Sequence, residues 1–272
     1  MLKEITIGQY FPGDSPIHRM DPRMKLILVV AYVVMLFVAG TLASLLVGVL
    51  FLFVVYPVSK ISAKMILRSI KPILPILLVT GVLNMFFVDG EILFQLWIFK
   101  ITREGAVMAA LMAVRIVCLI AGTSLLTYTT SPIALTDGIE QLFAPLKRLG
   151  VPVHEVAMMM TIALRFIPTL IEETDKIMAA QKARGADMES GGLMQRIRAL
   201  VPILIPLFVS AFRRAEELAL AMECRCYHGG EGRTRMHTLK MGRVDVCAAA
   251  FVSLCMGLAV TANILLPGAL LR

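Results

Sequence analysis

Charge is scarce in this 272-residue chain: Asp, Glu, Lys and Arg make up 17% of it, against 58% hydrophobic residues and a mean hydropathy of +0.81. That balance excludes a water-soluble globule and points to a membrane protein. Aromatic residues are only 7%, too few for a base-stacking platform, so no nucleic-acid partner is expected. The five cysteines are odd in number and mostly sit inside apolar or helical stretches, which argues against a disulfide framework. The first 25 residues hold Lys3, Glu4, Asp14, Arg19, Asp21, Arg23 and Lys25 without a compact apolar core. No cleavable signal peptide is expected, and the first hydrophobic run should act as an uncleaved insertion signal. There is no Gly-x-x-x-x-Gly-Lys-Ser/Thr element to cradle a nucleotide, so no cofactor is expected and any ATP is left to a partner. Nor do the long apolar runs carry Asp, Glu or His in their interiors, the groups on which proton-coupled pumps rely. Arg115 is the lone ion in the middle of a run, to be satisfied inside the bundle or by snorkelling, or else by a substrate-binding partner.

What the chain does have is long apolar runs. Leu26 to Ser59 is uncharged and, at about 1.5 Å per residue, is too long for one bilayer crossing. A helical hairpin turning near Gly40 is expected. Lys60, Lys64, Arg68 and Lys71 follow within twelve residues with no acid among them, which places that loop, and therefore the amino terminus, in the cytoplasm. Pro72 to Val88 is a third span. The next loop, with Asp89, Glu91, Lys100, Arg103 and Glu104, is nearly balanced and carries Trp97 between Phe94 and Phe99, as an outer interfacial segment does. Ala106 to Tyr128 returns to the inside. Val246 to Leu266 is the last span, leaving Arg272 outside.

Between Thr130 and Asp245 lie fifteen of the 27 bases and thirteen of the 19 acids, interleaved with apolar residues at helical spacing. Ser131-Pro132 reads as a cap followed by a first-turn proline, and Gly150-Val151-Pro152 as the end of that helix. A second helix is expected from about Val153 to Arg184, with Arg165, Glu172, Lys176 and Lys182 as a polar stripe and a kink at Pro168. After a polar turn from Met188 to Gly192, a third runs from Leu193 to Cys226. Its uncharged middle, Ala199 to Phe212, is fourteen residues and too short to cross a bilayer. The expected fold is an all-α integral membrane protein: about five transmembrane helices, with long amphipathic cytoplasmic helices between the fourth and the last span. The boundaries drawn are 1–129, 130–241 and 242–272.

The two long helices show a weak repeat at an offset of 41 residues. One ends in Ala183-Arg184-Gly185, the other in Cys224-Arg225-Cys226. Each places an arginine between two small residues in the last turn, where the helix dipole favours a cation and a partner can close around the guanidinium. Ordinary helix-end arginines explain either motif alone, and Gly185 suits a C-terminal cap; the pair together points to two docking knobs.

Four stretches resemble a known family. They are Asp21-Pro22-Arg23-Met24-Lys25-Leu26, Ala163-Leu164-Arg165-Phe166-Ile167-Pro168, Gln181-Lys182-Ala183-Arg184-Gly185, and Arg213-Arg214-Ala215-Glu216-Glu217 leading to Ala221-Met222-Glu223-Cys224-Arg225-Cys226-Tyr227. With the span pattern, they are similar to the transmembrane T component of energy-coupling-factor (ECF) transporters, vitamin and metal uptake systems related to ABC importers. The resemblance implies a cell-membrane protein without enzymatic activity, working with two ATPase subunits and a substrate-binding membrane S subunit. It implies that Arg184 and Arg225 tip coupling helices and insert into grooves on the two ATPases; the reading built on this is that the tips are drawn together when the ATPases approach. The family's second motif usually reads alanine-arginine-glycine; here both neighbours are cysteine, so the capping glycine is lost and a different local backbone is expected. Met158, Met159 and Met160 belong to a methionine-rich first long helix, suited to a surface that repacks against several partners. The resemblance implies interchangeable S subunits there, while ordinary apolar packing explains them equally.

Other constellations are weaker. Cys224-x-Cys226-x-His228 with His237 has types that ligate zinc but misses Cys-x-x-Cys spacing, so no metal site is expected. Glu172-Glu173 and Glu216-Glu217 lie beside Lys176 and Arg213 on charged faces and need no catalytic role. The alternative function is a stand-alone secondary transporter of a small solute, for which the prolines Pro72, Pro75, Pro202 and Pro206 offer helix breaks but the spans offer no inverted pairing.

Overall fold

The computed structural model describes residues 10–87, 92–96, 99–186, 192–230 and 238–265. Trp97, the turn residues Met188 to Gly191, His237 and Arg272, all used above, lie outside them. The chain divides into two compact units, one of Gly8–Gly138 with Leu239–Arg272, the other of Met1–Ile7 with Ile139–Thr238.

In the first unit the helices are α1 (Pro22–Val38), α2 (Leu42–Ser59), α3 (Ala63–Ile70), α4 (Leu74–Phe87), α5 (Arg103–Thr129) and α9 (Arg243–Leu265). A short antiparallel hairpin, β1 (Ile92–Leu96) and β2 (Phe99–Thr102), fills the expected loop between α4 and α5. Local chemistry sets the boundaries. The Asp21 side chain accepts from the Arg23 amide with Pro22 opening α1, and Thr41 and Ser44 form a reciprocal capping box that starts α2. Thr102 accepts from the Gly105 amide at 3.1 Å. A Cβ at Gly105 would fall 2.9 Å from the Asn84 carbonyl oxygen, so glycine lets α5 close on the end of α4.

The hairpin turn at Gly40 forms as expected, but Lys60 to Lys71 is not merely a loop. It contains α3, joined through a tight turn at Lys71–Ile73 to α4. The core of the unit is Tyr32, Leu36, Phe51, Cys118, Leu125 and Val252. Tyr32 stacks on Phe51 with ring centres 4.8 Å apart, and lies over Gly122, where any side chain would collide with its ring. Arg115 donates to the Ala39 carbonyl oxygen, so the mid-span cation is tied to the end of α1.

Five helices are long and apolar enough to cross a membrane by length and composition: Leu42–Ser59, Lys64–Phe87, Arg103–Thr129, Val153–Ala183 and Arg243–Leu265. Their number matches the expectation while the membership differs, because α1 has 17 residues and the helix from Val153 takes its place. Yet α1 runs beside α9 over its whole length: the Asp21 amide donates to Asp245 at 2.9 Å at one end, and Asn263 donates to the Val38 carbonyl at 2.6 Å at the other. α1 therefore runs parallel to the candidate span α9 and matches it in extent.

The second unit contains α7 (Val153–Ala183) and α8 (Leu193–Cys224); α6 (Pro132–Phe143), opened by Ser131 accepting from the Ala134 amide at 3.2 Å, leads into it. A tight turn, Ala144–Leu149, ends at Gly150 with φ 80. α7 continues unbroken through Pro168 and α8 through Pro202 and Pro206.

Candidate functional site

Two contacts between α7 and α8, and a third from the chain just beyond α8, fix the register of the pair. Gly230 lies on His154, where an added Cβ would meet the ring at 2.7 Å; Arg214 donates to Glu173 at 3.1 Å; and Gln181 donates to the Pro202 carbonyl at 3.3 Å. Residues rising along one helix meet residues falling along the other, so the pair is antiparallel and the Arg184 and Arg225 ends lie at opposite ends of it. Glu173 and Arg214 are themselves separated by the repeat offset of 41 residues, and each arginine tip follows its partner in this ion pair by eleven. At about 1.5 Å per residue each arm is roughly 16 Å, which puts the tips about 30 Å apart along the pair.

The two tips end in the same hydrogen-bonded cap. At the first, the Gly185 amide donates to the Lys182 carbonyl and Ala186 to Gln181, each at 3.0 Å; at the second, Cys226 donates to Glu223 at 2.8 Å and Tyr227 to Met222 at 3.0 Å. This is the Schellman pattern, with each arginine as the cap residue and a left-handed residue after it. Gly185 has φ 84 and Cys226 φ 55. The expected difference in local backbone is therefore absent: Cys226 takes the left-handed conformation that glycine takes at the first tip. Ala183, Arg184, Gly185, Cys224, Arg225 and Cys226 are all exposed. Arginine at each C-terminus also sits where the dipole favours it.

On α7, Met159 and Met160 are exposed while Met158 is partly covered. A larger apolar face, not assigned from the sequence, lies on α8: Val201, Leu204, Ile205, Phe208 and Phe212 are exposed and fall within one stripe at helical spacing. The signal was present as the uncharged middle of the helix, but its direction needed the register against α7.

The Asp-Pro-Arg stretch forms a polar tie in the other unit. Asp21 holds Arg23 at 2.7 Å, Arg23 donates to the Leu239 carbonyl at 3.3 Å, and Lys25 donates to the Thr129 carbonyl at 2.9 Å and the Thr130 hydroxyl at 3.2 Å. The Arg23 guanidinium holds the Asp21 carboxyl below its ordinary value of 3.8. Starts of α1 and α9 and the end of α5 are thus bound at one end of the bundle. Beside this tie, a cleft of about 280 Å³ is walled by Leu28, Tyr32, Phe51, Leu125 and Phe251. Its described polar members Lys25, Tyr32 and Thr129 all bond to backbone carbonyls.

All five cysteines are free thiols, Cys118 and Cys255 buried and the others exposed. Among the described residues no three His, Cys, Asp or Glu side chains cluster as a metal site.

Residues 13–237 match the family described as CbiQ, cobalt transport protein. The chain is 54% identical over 252 residues to a protein of Thermosediminibacter oceani, covering 93% of this chain and 94% of the relative. It is 55% identical over 262 residues to one of Clostridium kluyveri, covering 95% and 97%, and 49% identical over 240 residues to one of Bacillus subtilis, covering 88% and 91%. Each of the three is described as an energy-coupling factor transporter transmembrane protein, EcfT. With relatives of this likeness spanning both units, and with apolar helices long enough to cross a bilayer, the chain is a multi-pass membrane protein that belongs to the CbiQ family, in the company of the transmembrane components of energy-coupling factor transporters.

Proposed function

We propose that this chain is the transmembrane scaffold of an ABC-type importer, coupling ATP hydrolysis by two partner ATPase subunits to uptake of a vitamin or metal ion through a separate substrate-binding membrane subunit. It catalyses no reaction itself. Residues 130–241 form the coupling region on the cytoplasmic side of the cell membrane, between the spans of 1–129 and 242–272. Ala183, Arg184 and Gly185 dock on one ATPase and Cys224, Arg225 and Cys226 on the other. Met158, Met159 and Met160, with the apolar face of α8, meet the substrate-binding subunit.

The observation that carries this reading is the pair of superimposable caps, each presenting an exposed arginine at the end of a long helix, on opposite ends of one antiparallel pair. Two similar partners about 30 Å apart are what such a pair can engage at once. Topology supports the cytoplasmic placement. Gly138 packs on Pro22 and the Leu239 carbonyl bonds to Arg23, so the chain leaves and rejoins the membrane unit at one end. A crossing by α7 alone is incompatible with that return, and the uncharged middle of α8 is too short to provide a second.

The test is Arg184→Glu combined with Arg225→Glu. The doubly changed protein is expected to insert normally but to lose co-purification with the ATPases, because each reversed charge is set against a groove built for a cation. A single change weakens coupling by about 2 to 5 kcal/mol if the partner's group is left unpaired. Retained assembly together with ATP-driven uptake by the double variant overturns the proposal.

A further inference from the structure

α3 is an eight-residue helix whose two faces meet different surroundings. One face is tied to α5: the Ser69 hydroxyl bonds to the Tyr128 hydroxyl, and Tyr128 donates to the Met65 carbonyl at 3.3 Å. The opposite face carries Lys64, Arg68 and Lys71, all exposed and spaced i, i+4, i+7, so that they form one line. None of these three has an acidic partner among the described residues. Lys60 in the preceding turn adds a fourth cation, with Asp14 the acid that senses it.

Two further features say what covers this line. Leu67, 68% exposed, stands beside the cations, a placement favoured at the boundary of a hydrocarbon layer. The exposed face then continues without a charge into Leu74, Leu78 and Val82 of α4. Along the helical run Lys64–Phe87, through its tight turn at Lys71–Ile73, the surface is therefore cationic for two turns and apolar beyond. From Lys64 to Lys71 the rise is about 10 Å, enough to cross one headgroup layer of roughly 5 to 8 Å. A partner offering negative charge and then hydrocarbon, in that order along the helix, is a phospholipid with an anionic headgroup.

We propose that the Lys64, Arg68 and Lys71 line is a binding site for anionic phospholipid headgroups, with the acyl chains lying on the Leu74, Leu78 and Val82 face. The site holds α3 at the interface and so fixes the height of α5, to which α3 is tied through Tyr128.

The experiment uses the full chain in nanodiscs and in detergent, with phosphatidylglycerol as the anionic probe and phosphatidylcholine as the neutral one. Native mass spectrometry of the wild type is expected to show phosphatidylglycerol retained over phosphatidylcholine, with the preference falling as salt rises. Lys64→Gln, Arg68→Gln and Lys71→Gln together should weaken that preference by roughly 100-fold, since each base near an anionic surface contributes about 5-fold. The charge-conserving set Lys64→Arg, Arg68→Lys and Lys71→Arg should retain it, which separates loss of the site from loss of the fold. Equal retention of both lipids by the wild type, or an unchanged preference in the triple glutamine variant, overturns the proposal. So does a triple variant that keeps its lipid but loses a co-purifying protein, which would make the line a protein contact.

Discussion

Replacing Cys226 by glycine and Gly185 by alanine perturbs one backbone position in two copies of the same cap, and the two changes have opposite expected signs. Both residues are left-handed, with φ 55 and φ 84. An L-residue held there is strained by about 1 to 2 kcal/mol. Against this, glycine has more freedom to lose when the end of the helix orders, worth roughly 0.5 to 1 kcal/mol. The net advantage of glycine is therefore about 1 kcal/mol at either tip, or roughly 5-fold in the equilibrium between closed and frayed ends. Packing does not disturb the estimate at the first tip, because nothing lies within 4 Å of a Cβ built on Gly185. The readout is amide hydrogen exchange of the full chain in nanodiscs, corrected for intrinsic rates. Cys226→Gly should slow exchange at residue 226 and Tyr227, whose amides close the cap onto Glu223 and Met222; Gly185→Ala should speed it at residue 185 and Ala186. Slower exchange at both tips, or faster exchange at Tyr227 in Cys226→Gly, would refute the equivalence of the two caps.

Three further outcomes follow from the same contacts. Asp21→Ala removes a helix cap and leaves Arg23 with the Leu239 carbonyl but no carboxylate, with a loss of about 1 kcal/mol for the cap and roughly 1 more for the lost ion pair, seen as a lower thermal midpoint in detergent. Because the folded-state value of Asp21 is depressed, its contribution is complete above the ordinary carboxylate value of 3.8 and is lost as pH falls through the folded value. Asp21→Asn should keep the cap and lack this acid-side decline. Gly122→Ala should destabilise by about 1 to 3 kcal/mol through collision with the Tyr32 ring, and the loss should shrink when Tyr32 is also shortened. Reversing the charge of Glu173 or Arg214 alone should loosen α7 from α8, while Glu173→Arg with Arg214→Glu should restore about 0.2 to 1 kcal/mol in a double-mutant cycle; full additivity would rule out the pair as a fixed crossing point.

Much of the helical frame was legible because its punctuation is local. Gly40-Thr41, Ser131-Pro132 and Gly150 each carry their boundary in one or two residues, and the structure starts or ends helices there, whereas the cap at Asp21-Pro22 lies four residues ahead of the apolar run that begins at Leu26. α3 was hidden because eight residues make no apolar run, and its two bases, Lys64 and Arg68, read first with Lys60 and Lys71 as a topology signal. The conformation of Cys226 was illegible for a different reason: nothing in a cysteine announces a positive φ, and only the neighbouring hydrogen bonds require it. Long-range ties escaped altogether. The Asp21 amide meets Asp245 across 224 positions, and Arg115 finds a backbone carbonyl on α1 rather than an acid. The repeat offset was visible, but that its two halves run antiparallel, with the arginines at opposite ends, rests on side-chain contacts that no spacing encodes.

The strain at Cys226 also says where stiffness resides. A left-handed cysteine costs about 1 kcal/mol, which the surrounding contacts must offset for the cap to persist. The chain beyond it supplies such contacts: Gly230 comes down on His154 at the start of α7, and His154 is held by Glu140 at 3.0 Å. The second tip is therefore anchored to the helix that bears the first. With the Glu173–Arg214 pair midway between the arginines, a force applied at Arg225 reaches α7 at His154 and at Glu173, roughly 25 to 30 Å apart along it, with Gln181 on the Pro202 carbonyl a further contact beyond. Several attachments resist bending where one would allow a hinge, so the pair is expected to answer partners at its ends by a change of crossing angle as a whole. On the proposed coupling role, that change is what an apolar face in the middle of α8 is placed to deliver.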